Sequence, residues 1–146
     1  MAENIVIKSE EELSLRKKLE SMKDADSERI KRFLNMPDLA HTSGSPLHEI
    51  VERVISSPTF KGFDTIEVPE IVSTEIGFDL FDFPKDHPTR SKSDTYYVDD
   101  NHILRTQTTV MWYYYLRDEG VRKRMATNEP VGCFSFGKVY RKDEID

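Results

Sequence analysis

The side chains best suited to binding a small polar ligand are concentrated between residues 86 and 109 of the 146-residue chain. His87 precedes a proline, which favours an extended backbone and predicts a loop that presents polar groups. Two short strand patterns follow at 96–98 and 103–104, and the Asp-Asp-Asn turn between them predicts a hairpin. Arg105 and the polar run Thr-Gln-Thr-Thr then come where a strand ends and a helix begins, a position with free backbone N–H groups. This stretch is the first candidate site.

The bulk composition bounds the class of protein. With 37% hydrophobic and 33% charged residues, the chain is globular and long enough to bury a core. A net charge of −6 argues against a broad basic face for nucleic acid, but an anion site needs only a few local cations. The one cysteine, Cys133, excludes an internal disulfide and fits a reducing compartment. No apolar run approaches a membrane span and Met1 begins no secretory leader, so we expect a cytoplasmic protein.

The N-terminal elements are predicted to be helical. Residues 1–8 carry no clear periodicity and are expected to be an irregular lead-in. Ser9, with Glu12 three residues later, forms a capping box that predicts a helix ending near Met22. A second helix is expected to start at Asp24 or Ser27 and to be followed by a turn-rich linker.

A helix and a strand are predicted next. Ser45 followed by Pro46 is a good helix start, and the apolar spacing predicts a helix that ends before Pro58. Alternating apolar residues over 63–71 then predict a strand. Pro69 within it indicates an edge strand terminated by proline.

The remaining elements lead to a second candidate position, Arg141. Apolar residues recur at helical spacing over 110–125 and predict a single helix. Its aromatic cluster, Trp112 to Tyr115, is expected to serve core packing and an interface more than base stacking. Pro130 ends this pattern, and 131–140 predicts a strand with a glycine on each flank that ends just before Arg141.

Two stretches resemble one family, the phenylalanine–tRNA ligase α subunits, which are class II aminoacyl-tRNA synthetases. DHPTRSKSDTYYVDDNHILRTQTT, at 86–109, resembles the segment between class II motifs 1 and 2. GKVYRKDEID, at 137–146, resembles the opening of motif 2. A helix followed by a strand that runs into Pro69 resembles motif 1. The resemblance implies a partial class II catalytic core over 43–146, preceded by an N-terminal helical segment and linker over 1–42.

The resemblance also implies the fold and its partners. We expect an α+β fold with the antiparallel, helix-flanked sheet of class II synthetases, incomplete because it runs only from motif 1 to the start of motif 2. In the family the motif 1 element builds a dimer-type interface and supports the active site. Pro69 is therefore expected to be a structural or interface residue, with a β subunit or a second α subunit as the partner. The return strand of motif 2 would pair with 131–140, so an exposed sheet edge is expected there.

Amino-acid activation defines the chemistry that the resemblance implies. The reaction joins a carboxylate to the α-phosphate of ATP, so the site must position and neutralise two anionic groups. Arginine suits this because its planar fork donates parallel hydrogen bonds to phosphate oxygens. The resemblance makes Arg141 the catalytic, ATP-binding arginine of motif 2. Asp143 stands where the family usually has glutamate and is expected to contact the adenine or Arg141.

The amino-acid contacts are also implied by position. Gln107 and Thr109 occupy positions whose counterparts hydrogen-bond the α-amino group and carboxylate of phenylalanine, and both side chains can do so. Trp112 stands where many relatives carry a glutamine that contacts the substrate, and Ser93 is a second departure. From the residues alone, the alternative that the threonines of this run cap the following helix stays open.

The other charged residues of the first stretch are expected to be structural. Arg90 and Arg105 are predicted to hold the loop by pairing with Asp86 or Asp94. The acids and histidines fit no closed ligand set, so no metal site is predicted. Mg²⁺ would accompany ATP, with its ligands expected downstream of this chain.

The function implied by the resemblance is that of a fragment of a phenylalanine–tRNA ligase α subunit. The enzyme would activate phenylalanine with ATP and transfer it to tRNA(Phe). The fragment alone is expected to be inactive, because motif 3 and the Mg²⁺-binding acids lie outside it. Two alternatives remain: a truncated, non-catalytic class II paralogue that acts as a binding or regulatory partner, and another class II amino-acid-activating enzyme.

Overall fold

The computed structural model describes residues 2–143, so the last three residues of the stretch that resembles motif 2 lie outside the described residues. The chain forms two compact units, each assembled from three separate segments. The first unit combines the described parts of Met1–Lys8, Pro37–Val68 and Thr108–Lys138. The second combines Ser9–Met36 and Pro69–Gln107 with the described part of Val139–Asp146. The boundary drawn from the sequence between residues 42 and 43 stays a prediction.

Short elements alternate along the chain. The strands are β1 (Asn4–Val6), β2 (Asp64–Glu67), β3 (Ile71–Ser73), β4 (Tyr97–Asp99), β5 (His102–Leu104) and β6 (Cys133–Phe134). The α-helices are α1 (Glu10–Ser21), α2 (Ala25–Asn35), α3 (Pro46–Ile55), α4 (Thr74–Gly77), α5 (Met111–Tyr115) and α6 (Glu119–Ala126). Short 3-10 turns lie at Pro58–Phe60, Asp79–Phe81, Pro88–Arg90 and Thr108–Val110. None of the helices between residues 2 and 143 is both long and apolar enough to cross a membrane.

The sheet of the first unit is parallel. Its strand order is β1-β2-β6, with Ile5 opposite Ile66 and Asp64 opposite Cys133. β2 is therefore the central strand, and the prediction of an edge strand is wrong. The prediction of an irregular lead-in is wrong as well, because residues 4–6 form β1. A parallel partner about 60 residues away in sequence leaves no local turn signal, and this is why the pattern did not show it.

The predicted helix over 110–125 is wrong in its continuity. α5 ends at Tyr115, and α6 begins after Asp118, whose side chain accepts a hydrogen bond from the Val121 backbone N–H at 3.0 Å. The aspartate caps a new helix here and stops the first from continuing. In contrast, the start of α3 is confirmed, because Ser45 accepts a hydrogen bond from the Leu47 backbone N–H.

The predicted strand over 131–140 is reduced to the two residues of β6. Only Cys133 and Phe134 pair with β2, opposite Asp64 and Thr65. Gly137 then adopts a φ of 148°, a conformation that side-chain-bearing residues rarely take, and the extended path is interrupted there.

The sheet of the second unit is antiparallel, with strand order β3-β5-β4. The predicted hairpin is confirmed, since β4 and β5 pair through Tyr97 and Ile103 across a short turn. The strand predicted over 63–71 is split: β2 ends at Glu67 and β3 begins at Ile71, with Pro69 buried between them. The antiparallel sheet expected from the resemblance therefore describes this unit only.

The helices α1 and α2 complete the core of the second unit. Leu19 and Ile30, which are 1% and 2% exposed, belong to one apolar cluster with Leu104 and other residues of the sheet. Ser9 caps α1 as predicted, accepting from the Glu12 backbone N–H at 3.1 Å. The Glu12 carboxylate accepts from the backbone N–H of Ile71 at 2.8 Å, which ties α1 to β3.

A histidine between two carboxylates also joins α1 to the hairpin. The Nε2 of His102 lies 2.6 Å from a Glu11 carboxylate oxygen, and its Nδ1 lies 2.8 Å from one of Asp99. Burial alone would lower the pKa of the imidazole, but the hydrogen bonds to Glu11 and Asp99 outweigh burial and raise the pKa above its usual value. We therefore expect this link to be strongest when His102 is protonated.

The stability that His102 contributes should fall as the pH rises. Below the unfolded-state pKa of about 6.5, histidine is protonated in both states and its ion pairs contribute fully. This contribution is lost as the pH rises through the higher folded-state pKa. Chemical denaturation of the wild-type protein and His102→Gln from about pH 5.5 to about pH 8.5 measures it. The stability difference should shrink with rising pH, and a constant difference would contradict the link.

Candidate active site

A cavity of about 350 Å³ in the second unit brings the two main candidate residues together. Its lining residues are Phe83, Thr89, Asp94, Thr106, Gln107, Tyr140 and Arg141. Gln107 and Arg141 come from different segments of the unit, and Asp94 adds a carboxylate to the same wall. The cavity therefore holds an amide, a cation and an anion, the groups that a zwitterionic or phosphorylated ligand requires.

Gln107 has an unused donor at this cavity. Its Nε2 is buried and, among residues 2–143, has no hydrogen-bond partner. A buried polar group without a partner costs about 1–3 kcal/mol, and a bound acceptor would recover that cost. This amide therefore suits contact with a ligand.

Arg141 is held at its backbone while its side chain is free to reach a ligand. The N–H of Tyr140 donates to the carbonyl of Arg105 at 3.0 Å, and the N–H of Lys142 donates to the carbonyl of Asp94 at 2.9 Å. The Arg141 side chain between them is 79% exposed. Its Nε lies 2.8 Å from a carboxylate oxygen of Asp143, so of the two contacts expected for Asp143 the structure contains the one with Arg141.

Arg90 holds the loop, but not through the predicted partners. Its guanidinium pairs with Asp79 and donates to the carbonyl of Phe83 at 2.6 Å. It also lies 5.1 Å from the ring centre of Phe78, which is fully buried. The predicted pairing with Asp86 or Asp94 is therefore wrong for Arg90, because its guanidinium pairs with Asp79 of the preceding 3-10 turn.

Arg105 is buried, in keeping with a structural role. It is 3% exposed, and its backbone N–H donates to the carbonyl of Glu70 at 2.8 Å. This contact extends the pairing of β3 and β5 by one residue beyond Leu104.

Thr109 and Trp112 belong to the first unit. Thr109 is exposed in the 3-10 turn, and Trp112 is 41% exposed with its ring edge toward Tyr115 at 6.1 Å between centroids. α5 begins after Val110, and among the described residues no side chain caps it. The alternative that the threonines cap this helix is therefore wrong. Tyr115 is fully buried and packs in the core as predicted, whereas Trp112 is not buried.

Tyr140 and Glu70 were not predicted from the sequence to be residues of the site. The Tyr140 hydroxyl donates to the Glu70 carboxylate, and burial together with this hydrogen bond raises the pKa of Tyr140. The two residues lie 70 positions apart, so no local pattern connects them. The signal that was present is the alternation at the end of the chain, which places residue 140 on the opposite side from Arg141.

The described residues hold no group of three or more histidine, cysteine, aspartate or glutamate side chains placed to bind a metal ion. The acids of the hairpin have other partners, such as His102 for Asp99.

Residues 30–146 match the family model described as tRNA synthetases class II core domain (F). The chain therefore belongs to the class II tRNA synthetase core-domain family. Its curated relatives include the phenylalanine–tRNA ligase α subunits of Fusobacterium nucleatum subsp. nucleatum, 34% identical over 75% of this chain, and of Aquifex aeolicus, 32% identical over 95%. The mitochondrial phenylalanine–tRNA ligase of Saccharomyces cerevisiae is 38% identical over 68% of this chain. The chain spans only 31%, 40% and 21% of the lengths of these three relatives.

Proposed function

We propose that this chain is part of a phenylalanine–tRNA ligase α subunit that activates phenylalanine with ATP and transfers it to tRNA(Phe). The observation that carries the proposal is the shared cavity of Gln107 and Arg141, which is lined by an amide donor without a partner among the described residues and by the residue with an exposed guanidinium. The family and the α-subunit relatives support the same reaction class.

The side chains of the cavity have distinct tasks in the proposed adenylation. The phenylalanine carboxylate attacks the α-phosphate of ATP, a bond to the pyrophosphate oxygen breaks, and pyrophosphate leaves. Gln107 donates to the amino acid and fixes its orientation. Arg141 donates to the α-phosphate oxygens and neutralises the charge that builds up there, and Asp143 orients the guanidinium. Positioning and charge neutralisation account for most of the rate in such a transfer.

Three further residues keep proposed roles outside that pair. Thr109 and Trp112 are assigned to amino-acid binding from their positions in the family pattern, and the exposure of both leaves them accessible. Pro69 is assigned a structural role, in keeping with its burial between β2 and β3. Mg²⁺ would supply charge neutralisation for the ATP phosphates, and no residue of this chain is assigned to hold it.

A partner subunit is proposed to cover α3. Leu47, Ile50 and Val54 follow one another at helical spacing and are 48%, 58% and 41% exposed. In the part of the chain that the structure describes, no residue of α3 is buried. A helix with a strong apolar stripe and no buried residue is unusual in a fully assembled protein. We assign this face to a β subunit or a second α subunit. The reaction is proposed to take place in the cytoplasm.

Gln107→Leu should impair amino-acid binding selectively. The substitution keeps the approximate volume and removes the donor, so the KM for phenylalanine should rise about 10- to 100-fold in the complete enzyme that contains this chain. The KM for ATP should stay within about twofold, because Arg141 is unchanged. ATP–pyrophosphate exchange at varied concentrations of each substrate measures both constants.

The wild-type exchange assay also decides between the alternatives. Exchange with phenylalanine supports the proposal, whereas exchange with a different amino acid alone would show another class II activating enzyme. No exchange with any amino acid would favour a non-catalytic paralogue. An equal rise in both KM values for Gln107→Leu would contradict the assignment of this residue.

A further inference from the structure

We infer that Tyr140 is a positioning residue for Arg141, acting through its hydroxyl contact with Glu70 and its backbone contact with Arg105. The inference rests on the proposed function of Arg141 and adds two residues to it. Tyr140 also lines the cavity, but the role inferred for it and for Glu70 is indirect and requires no contact with a substrate.

Tyr140 is anchored at two points. Its side chain is 8% exposed and belongs to the apolar core of the second unit together with Leu19 and Ile30. Its hydroxyl donates to the Glu70 carboxylate, and its backbone N–H donates to the Arg105 carbonyl at 3.0 Å. These bonds fix both ends of the residue, so the chain has little freedom immediately before Arg141.

Lys142 anchors the chain on the other side of Arg141. Its backbone N–H donates to the Asp94 carbonyl at 2.9 Å, and its ammonium lies 3.6 Å from a carboxylate oxygen of Asp26 in α2. The same ammonium lies 5.7 Å from the ring centre of Tyr96. Arg141 is therefore the one residue of this three-residue segment that projects outward, with a side chain that is 79% exposed.

Anchoring the neighbours matters because a long arginine side chain has many rotamers. An exposed arginine loses rotamer entropy when it is ordered, and a mobile backbone would add to that loss. A fixed backbone restricts the positions that the guanidinium can occupy, so less entropy is lost when it binds a phosphate. Of the two anchors, Tyr140 is the more buried and its hydroxyl bond is charge-assisted, so its loss should have the larger effect.

Tyr140→Phe tests the inference because it retains the buried ring and removes only the hydroxyl. In the complete enzyme, kcat/KM for ATP should fall about tenfold while the KM for phenylalanine stays unchanged. Glu70→Gln keeps an acceptor oxygen and should have a smaller effect. Tyr97→Phe is the matched control, because the Tyr97 hydroxyl donates to the Arg90 carbonyl at 2.5 Å in the same unit without flanking Arg141. It should leave the KM for ATP unchanged.

A second measurement does not depend on turnover. The ¹⁵N order parameters of the backbone amides of Arg141 and Lys142 should fall in Tyr140→Phe from about 0.85 toward about 0.6, and should not change in Tyr97→Phe. Unchanged order parameters in a folded Tyr140→Phe protein would overturn the inference whether or not the enzyme is active. A wild-type enzyme without exchange activity would instead contradict the proposed function alone. A variant with a lower melting temperature but normal kinetics and normal order would show a merely structural tyrosine.

Discussion

Arg141→Ala should lower the rate of ATP–pyrophosphate exchange by about 100-fold or more in the complete enzyme. Among residues 2–143, the guanidinium is the only cation that lines the cavity, and the unpartnered amide of Gln107 lines the same cavity. A charged donor aimed at a phosphate acts mainly in the transition state, where negative charge is redistributed. The loss should therefore appear in kcat as well as in the KM for ATP.

Arg141→Lys separates charge from geometry. Lysine keeps the positive charge but lacks the planar fork that can donate two parallel hydrogen bonds to phosphate oxygens. Its activity should lie between those of the wild type and Arg141→Ala. If lysine restored full activity, a simple electrostatic role would replace the proposed bidentate contact.

Lys123→Ala is a suitable control for the loss of an exposed, ion-paired cation. The Lys123 ammonium lies 2.9 Å from a Glu119 carboxylate oxygen, and its side chain is 74% exposed, close to the 79% of Arg141. Exposed pairs of this kind contribute less than about 1 kcal/mol, so both the activity and the stability should stay near those of the wild type. Equal losses of activity in Lys123→Ala and Arg141→Ala would show that the effect comes from the change in net charge and not from a specific contact of Arg141.

Asp64→Asn should destabilise the first unit by about 3–5 kcal/mol. Asp64 has no exposed surface, and its carboxylate accepts from the Tyr115 hydroxyl at 2.6 Å and from the Arg124 guanidinium at 2.5 Å. It also accepts from the Glu3 backbone N–H at 2.8 Å, so one side chain joins β2, α5, α6 and the residue before β1. The asparagine has a similar volume but leaves the largely buried Arg124 cation without a counter-ion.

The acid dependence of stability should change in the same variant. Burial alone would raise the pKa of the Asp64 carboxyl, but the hydrogen bonds from Arg124 and Tyr115 outweigh it and hold the pKa below its usual value. The stability from this depressed pKa is present above the unfolded-state value of about 3.9 and is lost as the pH falls through the folded-state pKa. Asp64→Asn should therefore show a weaker loss of stability in that acid range.

Chemical denaturation of the wild type, Asp64→Asn, Arg124→Met and the double variant tests the network. The double variant should be less destabilised than the sum of the single variants, since it no longer contains an unpaired charge. Glu119→Gln, which breaks the exposed pair with Lys123, should cost less than about 1 kcal/mol. Additive single effects would show that Asp64 and Arg124 stabilise the fold independently.

Local structure was predictable wherever neighbouring residues determine it. The caps at Ser9, Asp24 and Ser45 and the hairpin of β4 and β5 follow from short-range hydrogen bonds and turn chemistry. The parallel sheet was not predictable, because β1, β2 and β6 are brought together over long sequence separations. The break at Asp118 was missed because the apolar spacing continues across it, although an aspartate before a charged run is itself a capping signal.

The site shows the same division. Gln107 and Arg141 line one cavity, and only the resemblance had assigned both of them to a common site, because it carries long-range information that periodicity lacks. The support beneath Arg141 was not visible, because Tyr140 and Glu70 meet only in the folded chain. A structural role was predicted for Arg90. Its partner Asp79 could not be identified from the sequence, because Asp86 and Asp94 are nearer to Arg90 in sequence and only the folded 3-10 turn brings Asp79 to the guanidinium.

The interleaving of the two units has a consequence for synthesis on the ribosome. The sheet of the first unit needs β6, and the core of the second needs Tyr140, yet both follow β1–β5 and α1–α6 in the chain. At a synthesis rate of about 5–20 residues per second, these late segments are made several seconds after the early elements, and the apolar faces of the early elements stay exposed during that time. The first unit cannot close before β6 has been synthesised, and the second cannot close before Tyr140, so a ribosome that stalls before β6 leaves two unfinished cores on one nascent chain.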